Sequence, residues 1–337
     1  MRRWVQWRVA ALSVALVVAG TAPVAAADWT TAEERFAALE RSRALLVLVD
    51  GEPVVEQVVA GPGLARPVNI KSLSKVVISA LVGAAIDREV LQGVEQPVTA
   101  LLGERVPPEA DPRVAAITVG HLLSMQSGLE RTSGGNYGAW VSSDDWVAYV
   151  LERPFVAEPG GRMGYSTGNS HLLSAALVEQ TGESTLALAR AWLGDPLNVA
   201  IPDWLQDPQG VHFGGNEMRL SPRALARFGE MMRRGGQVDG TRVVPPDWVE
   251  ATWTPRTRSH FNDDRYGYGW FITELAGYDA YYGWGFGGQM LYVVPELALT
   301  VAMTSDPTPP SSGTRYLRRL EAIVAEALIP AAAARAP

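Results

Sequence analysis

Apolar and polar positions alternate in short runs near both ends of the chain and recur at helical spacing between them. Residues 44–49 and 54–59 are two β-rich runs around Asp50-Gly51-Glu52-Pro53, a pattern that predicts a hairpin. Before it, residues 30–43 predict a helix with Thr30 or Thr31 as N-cap and Phe36, Leu39 and Leu45 on one side. Strands are predicted again over residues 266–272, 290–294 and 297–304, with Pro295-Glu296 turning between the last two. Residues 314–328 then predict a closing amphipathic helix through Leu317, Leu320, Ile323, Val324 and Leu328. The middle, from about residue 91 to 237, reads as helices and loops. Thr118 caps one over 119–125, Asp144 opens one through Tyr149, a third follows Asn169 to Gln180, and Ser221-Pro222 starts a fourth. This order predicts an α/β (α+β) fold. An antiparallel sheet is built from both chain ends, about residues 28–70 and 238–337, and is flanked by helices; a large, mostly helical region spans about 71–237.

One helix departs from the amphipathic pattern. Residues 76–86 are apolar on nearly every face, as in a helix buried in a domain interior. Ser72 and Lys75 stand just ahead of this run, three residues apart, so on a helix they share a face. Composition sharpens the point: of 29 basic residues only Lys71 and Lys75 are lysines. A desolvated lysine can lose its proton near neutral pH, whereas an arginine stays charged. A hydroxyl beside such an amine is a candidate activated nucleophile.

Charge and composition narrow the remaining classes. Arg2, Arg3 and Arg8, the apolar residues 9–20 and Ala25-Ala26-Ala27 form a secretory leader over residues 1–27, with cleavage before Asp28. The mature chain of 310 residues (337 less 27) is then exported, periplasmic or secreted, and the apolar core of the leader is too short to span a membrane. With no cysteine, a lipid anchor on a thiol and disulfides are excluded. The net charge of −7 and the lack of a basic stripe argue against nucleic acid. His121, His171, His212 and His260 are scattered without ligand spacing, so neither a metal nor another cofactor is expected.

Two motifs compete for the nucleophile. Gly164-Tyr165-Ser166-Thr167-Gly168 is a literal G-x-S-x-G, which in an α/β-hydrolase would make Ser166 the nucleophile, with only weak candidates such as Asp247 and His260 as its partners. The residues ahead of it, 158–162, read as a turn where that elbow needs a strand.

The other motif belongs to a series. Ser72-Leu73-Ser74-Lys75, residues 121–129, Pro159-Gly160 through Tyr165-Ser166, residues 221–229 and Gly283-Trp284-Gly285-Phe286-Gly287-Gly288-Gln289 occur in order over most of the chain. Together they resemble the serine β-lactamase and penicillin-binding-protein superfamily, in its class C-like branch of esterases, D-aminopeptidases and 6-aminohexanoate-oligomer hydrolases. The resemblance implies a β-lactamase/transpeptidase-like fold. It also implies Ser72 as nucleophile, Lys75 as its activator and Tyr165 as general base and then acid, an ionised phenol favoured by the lysine ammonium. A glycine amide near Gly287 or Gly288 would complete an oxyanion hole with the Ser72 amide. Tyr137 and Trp140 would flank the pocket, with Asp144 as a helix cap. Two positions depart from the pattern: Thr167 stands where β-lactamases commonly carry Asn, and Trp284 where they place the lysine of Lys-Thr-Gly. The loss of that cation removes a partner for a β-lactam carboxylate. The resulting expectation is an exported serine hydrolase acting on a small-molecule ester or amide, with no metal and no membrane segment after leader cleavage. A low-turnover β-lactam- or peptide-binding protein, a class C-like β-lactamase or D-peptidase, and the Ser166 hydrolase are the alternatives.

Overall fold

The hairpin forms where the D-G turn places it. Strands β1 (Ser42–Val49) and β2 (Glu52–Val58) are joined by Asp50 and Gly51, whose φ angles of 51° and 84° suit a two-residue turn that follows strand twist. The computed structural model describes Met1, residues 28–308 and residues 314–335. The expected leader, residues 1–27, lies outside the described residues apart from Met1.

Six further strands return near the C-terminus: β3 (Thr257–Arg258), β4 (Arg265–Tyr266), β5 (Phe271–Leu275), β6 (Tyr278–Gly285), β7 (Gln289–Val294) and β8 (Leu299–Ser305). With β1 and β2 they make one antiparallel sheet in the order β2-β1-β8-β7-β6-β5-β4-β3. The two chain ends therefore meet at the β1–β8 pair, where Val47 lies opposite Val301. The central strands β7 and β8 are buried along their whole length, because helices cover both faces of the sheet.

Alternate side chains divide between two cores. Leu45, Val47, Tyr292, Val301 and Met303 pack with Phe36 and Leu317, on the side of helices α1 (Thr30–Ala37) and α5 (Thr314–Ile323). Leu46, Leu291, Val293 and Ala302 pack with α2 (Ser74–Asp87), α3 (Thr167–Thr181) and α4 (Pro222–Arg233), on the side of the middle region. Helix α2 is buried from Ser74 to Ala85, as its uniform apolarity predicts.

Several boundaries differ from those predicted. Helix α1 stops at Ala37, because Ser42 and Arg43 join β1, and its N-cap is Trp29. The single strand expected over 266–272 is β4 and β5 with a break between them, where Gly269 takes φ 86°. No strand is predicted over Tyr278–Gly285, where the structure has β6, one of the longest; glycines hide it, since they carry no side chain to show alternation. They serve close approach instead. A Cβ on Gly283 would lie 2.3 Å from Leu73 Cδ1, and one on Gly285 2.2 Å from the Ile70 carbonyl oxygen. This lets β6 lie directly against the turn that carries Ser72. Among the described residues no helix is long and apolar enough to cross a membrane.

Candidate active site

Ser72 sits in a single 3₁₀ turn, Lys71–Leu73, that runs into α2. The chain enters it through Lys71 in the left-handed region at φ 53°, a conformation that a non-glycine residue holds only where its surroundings enforce it. The enforcing contacts are local. Asn69 Oδ1 accepts from the Lys71 amide at 2.9 Å, and Lys71 Nζ pairs with Glu217 at 3.0 Å. Lys71 is thereby turned toward Glu217, and the site is left to the other lysine.

Lys75 is the second residue of the buried helix α2 and is only 3% exposed. Its Nζ is 3.1 Å from Ser72 Oγ, donates to the Gly215 carbonyl at 2.8 Å and is 3.4 Å from Thr167 Oγ1. No carboxylate is among these partners, and burial brings the amine down from its ordinary value to about 7. Near neutral pH Lys75 therefore spends much of its time as a free amine facing the serine hydroxyl.

Tyr165 closes the other side. Its ring is buried between Phe261, Tyr266 and Phe271, its centroid is 4.9 Å from Lys75 Nζ, and its hydroxyl lies on the Ser72 side. Burial raises the phenol well above its ordinary range, more than the nearby Ser72 hydroxyl lowers it. This corrects the expectation that the lysine would help the phenol ionise: desolvation disfavours charge on both groups, so the phenol stays neutral and the amine is neutral above about pH 7.

Thr167, at the start of α3, is tied to Ser133, whose Oγ lies 2.9 Å from Thr167 Oγ1 and accepts from the Thr167 amide. It stands beside Lys75, with its Oγ1 3.4 Å from Nζ. Trp284 is partly buried on β6, edge-on to Phe261 at 5.7 Å. Phe286, just beyond it, is 47% exposed. The side of the site formed by β6 is thus aromatic and carries no cation.

Strand β5 ends opposite Tyr282, so the segment Gly283–Gly285 of β6 has an open edge. Gly285 turns its backbone toward β7, since its carbonyl accepts from the Gly288 amide at 3.2 Å. By strand alternation, Trp284 turns its backbone toward the open edge, and Phe286 follows Gly285 as the first residue of the β6–β7 turn. The expected oxyanion donors Gly287 and Gly288 fit less well. The Gly288 amide is already engaged, and both glycines form the β6–β7 turn against Pro307 and Tyr316.

Two further expectations are corrected. Trp140 is fully buried, packed among Trp146, His171 and Phe213 with its Nε1 donating to the Trp146 carbonyl; it is core, not pocket. The helix Trp146–Leu151 is capped by Asp145, not Asp144, because the Asp145 carboxylate accepts from both the Val147 and Ala148 amides. Tyr137 does stand near the site. Its hydroxyl accepts from Asn216 Nδ2 at 2.8 Å, next to the Gly215 carbonyl that holds Lys75.

Ser166 is not placed as an elbow nucleophile. No strand precedes it, it is 2% exposed, and its Oγ accepts from the Thr132 amide at 3.0 Å. Of its possible partners, Asp247 accepts from the Trp248 amide and His260 lies against Arg131. Its role is to pin the 131–133 segment against α3.

Gly215, Ser133 and Phe261 were not legible as site residues. The carbonyl and the hydroxyl come from loops with no motif of their own, and only the fold brings them to Lys75 and Thr167.

The family model for beta-lactamase matches residues 33–326. This chain belongs to the beta-lactamase family. Its curated relatives include the 6-aminohexanoate-dimer hydrolase of Paenarthrobacter ureafaciens, 27% identical over 237 residues that cover 66% of this chain and 59% of that enzyme. Among solved structures, EstCE1, a hydrolase with promiscuous acyltransferase activity, superposes with a TM-score of 0.70 at 17% identity, over 87% of this chain and 96% of that one. A D-stereospecific amidohydrolase from Streptomyces sp. gives 0.65 at 15% identity, over 82% and 93%. These likenesses match the antiparallel sheet and its helical middle region, and membership of the beta-lactamase family makes the chain a serine hydrolase.

Proposed function

We propose that this protein is an exported serine hydrolase that cleaves an ester or amide of a small molecule through an acyl-enzyme on Ser72. The observation that carries this reading is a carboxylate-free, desolvated Lys75 amine 3.1 Å from the Ser72 hydroxyl. Lys75 takes the hydroxyl proton as Ser72 Oγ attacks the acyl carbon. The amides of Ser72 and Phe286 receive the developing oxyanion. Tyr165, held as a neutral phenol, gives its proton to the leaving oxygen or nitrogen, and the proton on Lys75 then restores it. Water repeats the sequence on the acyl-enzyme. The leader read from Arg2 to Ala27 supports export.

Trp284 and Phe286 offer apolar surface where a cation would hold a β-lactam carboxylate, so the reading favours acyclic esters and amides. The purified mature chain should turn over p-nitrophenyl butyrate with a burst of one equivalent of nitrophenol. Its kcat/KM for nitrocefin should be lower by about 100-fold or more, the scale of losing a charge-assisted contact of 2–3 kcal/mol. Efficient nitrocefin hydrolysis would overturn the substrate side of the proposal.

Tyr165→Phe separates acid from base. With a good leaving group such as p-nitrophenolate the loss should be modest. With an alkyl ester, whose alkoxide needs a proton, the loss should reach about 10²–10⁴-fold. Equal losses on both substrates would contradict the assignment of Tyr165 as the proton donor.

A further inference from the structure

A cleft of about 400 Å³ opens beside Tyr165, lined by Leu129, Glu130, Arg131, Arg162, Gly164 and His260 among others. Gly164 precedes Tyr165 in sequence, and the His260 ring lies 4.0 Å from that of Phe261, which is edge-on to both Tyr165 and Trp284. Two walls of the cleft are therefore continuous with the site around Ser72.

Its charge is one-sided. Among the described residues, neither Arg131 nor Arg162 has a carboxylate within ion-pair distance. Arg131 contacts His260 Nε2 at 3.2 Å, and Arg162 donates to the Val156 carbonyl at 3.3 Å. The nearby acids are already engaged, Glu130 by Arg153 and Glu158 by Arg113. Burial and the neighbouring guanidinium both hold the His260 imidazole below its ordinary value, so near neutral pH it accepts from Arg131 without neutralising it.

Arg131 is also fixed in place. Glu130 is bonded to the Pro154 carbonyl on one side, and Thr132 to the buried Ser166 hydroxyl on the other. Asn136 Nδ2 donates to the Arg131 carbonyl, and Gly134, at φ 67°, folds the loop back over the guanidinium. A positive, unneutralised group is thus held at the mouth of a site in a chain of net charge −7.

We propose that this cleft takes a carboxylate carried by the substrate, with Arg131 as its principal partner and Arg162 as the second charge. The proposal rests on the reading of Ser72 as nucleophile for its place in catalysis. It does not rebuild the missing lysine on β6, since the cation is offered from the wall beside Tyr165.

Two measurements test it. The first is glutarate binding to the Ser72→Ala protein by calorimetry, which needs no turnover. Binding should be measurable and should weaken about 10-fold or more in Ser72→Ala carrying Arg131→Ala, with part restored by Arg131→Lys, and should fall as salt rises from 50 to 500 mM. The second compares kcat/KM for matched pairs. Mono-p-nitrophenyl glutarate is set against p-nitrophenyl butyrate, and 4-butyryloxybenzoate against its methyl ester, the neutral member reporting any general damage. In at least one pair the carboxylate should be preferred, and Arg131→Ala should cut that preference about 10-fold, chiefly through KM. No glutarate binding, or binding indifferent to Arg131, overturns the cleft assignment, as does preference for the neutral ester in both pairs. Arg131-dependent glutarate binding without turnover of any ester would uphold the cleft and sink the Ser72 reading alone.

Discussion

Replacing Ser72 with Ala is expected to lower kcat/KM for p-nitrophenyl butyrate by about 10⁴-fold or more, the scale seen when a nucleophile that works as a unit with its base is removed. The variant should fold normally. Ser72 is only partly buried, and deleting its hydroxyl leaves Lys75 Nζ with the Gly215 carbonyl as its partner. Ser166→Ala should show the opposite pattern. It strips the buried acceptor from the Thr132 amide, which costs about 1–3 kcal/mol of stability, while turnover falls far less. Thermal unfolding and steady-state kinetics on both variants check this. Activity that survives in Ser72→Ala and disappears in Ser166→Ala would reverse the assignment.

The second large effect concerns stability as well as rate. Lys75→Met should abolish measurable turnover yet raise stability at pH 6–7. The Lys75 pKa is about 10.5 in the exposed state and about 7 in the folded enzyme. The unfolded chain therefore binds more protons between pH 7 and 10.5, and stability rises with pH across that window. Below about pH 7 the folded state carries the whole cost, on the order of 3–5 kcal/mol. Methionine fills a similar volume without that cost but leaves the Gly215 carbonyl unpaired, so the net gain should be about 1–3 kcal/mol. The advantage should shrink as pH is raised toward 10. A variant less stable than wild type at every pH would contradict the neutral-amine account. In the wild type, kcat/KM should fall on the acid side with an apparent pKa near 7, as Lys75 takes up its proton.

The parts of this site that share a segment were legible in the sequence. Ser72 and Lys75 sit three apart at the head of an apolar run, and the scarcity of lysine pointed at both Lys71 and Lys75. Only the structure separates the two, by turning Lys71 toward Glu217. The sheet made from both chain ends was legible as well, because β1, β2, β7 and β8 carry strong β-rich runs. β6 was hidden by its glycines, even though it supplies the open edge beside Ser72. Trp140 shows the converse limit: an aromatic in a glycine- and serine-rich loop looks exposed in sequence, but three rings bury it. The state of Tyr165 was misjudged for a related reason. Proximity to a lysine can be inferred from a motif, but the desolvation that outweighs it depends on Phe261, Tyr266 and Phe271, which arrive from distant strands and loops.

The most direct test of the Ser72 acyl-enzyme is peptide mass spectrometry after reaction with a p-nitrophenyl alkylphosphonate. One phosphonyl group should appear on the peptide containing Ser72, at a rate that rises with pH through about 7, and should be absent in Ser72→Ala but present in Ser166→Ala. Labelling of the peptide containing Ser166, or stoichiometric labelling that persists in Ser72→Ala, would contradict the account.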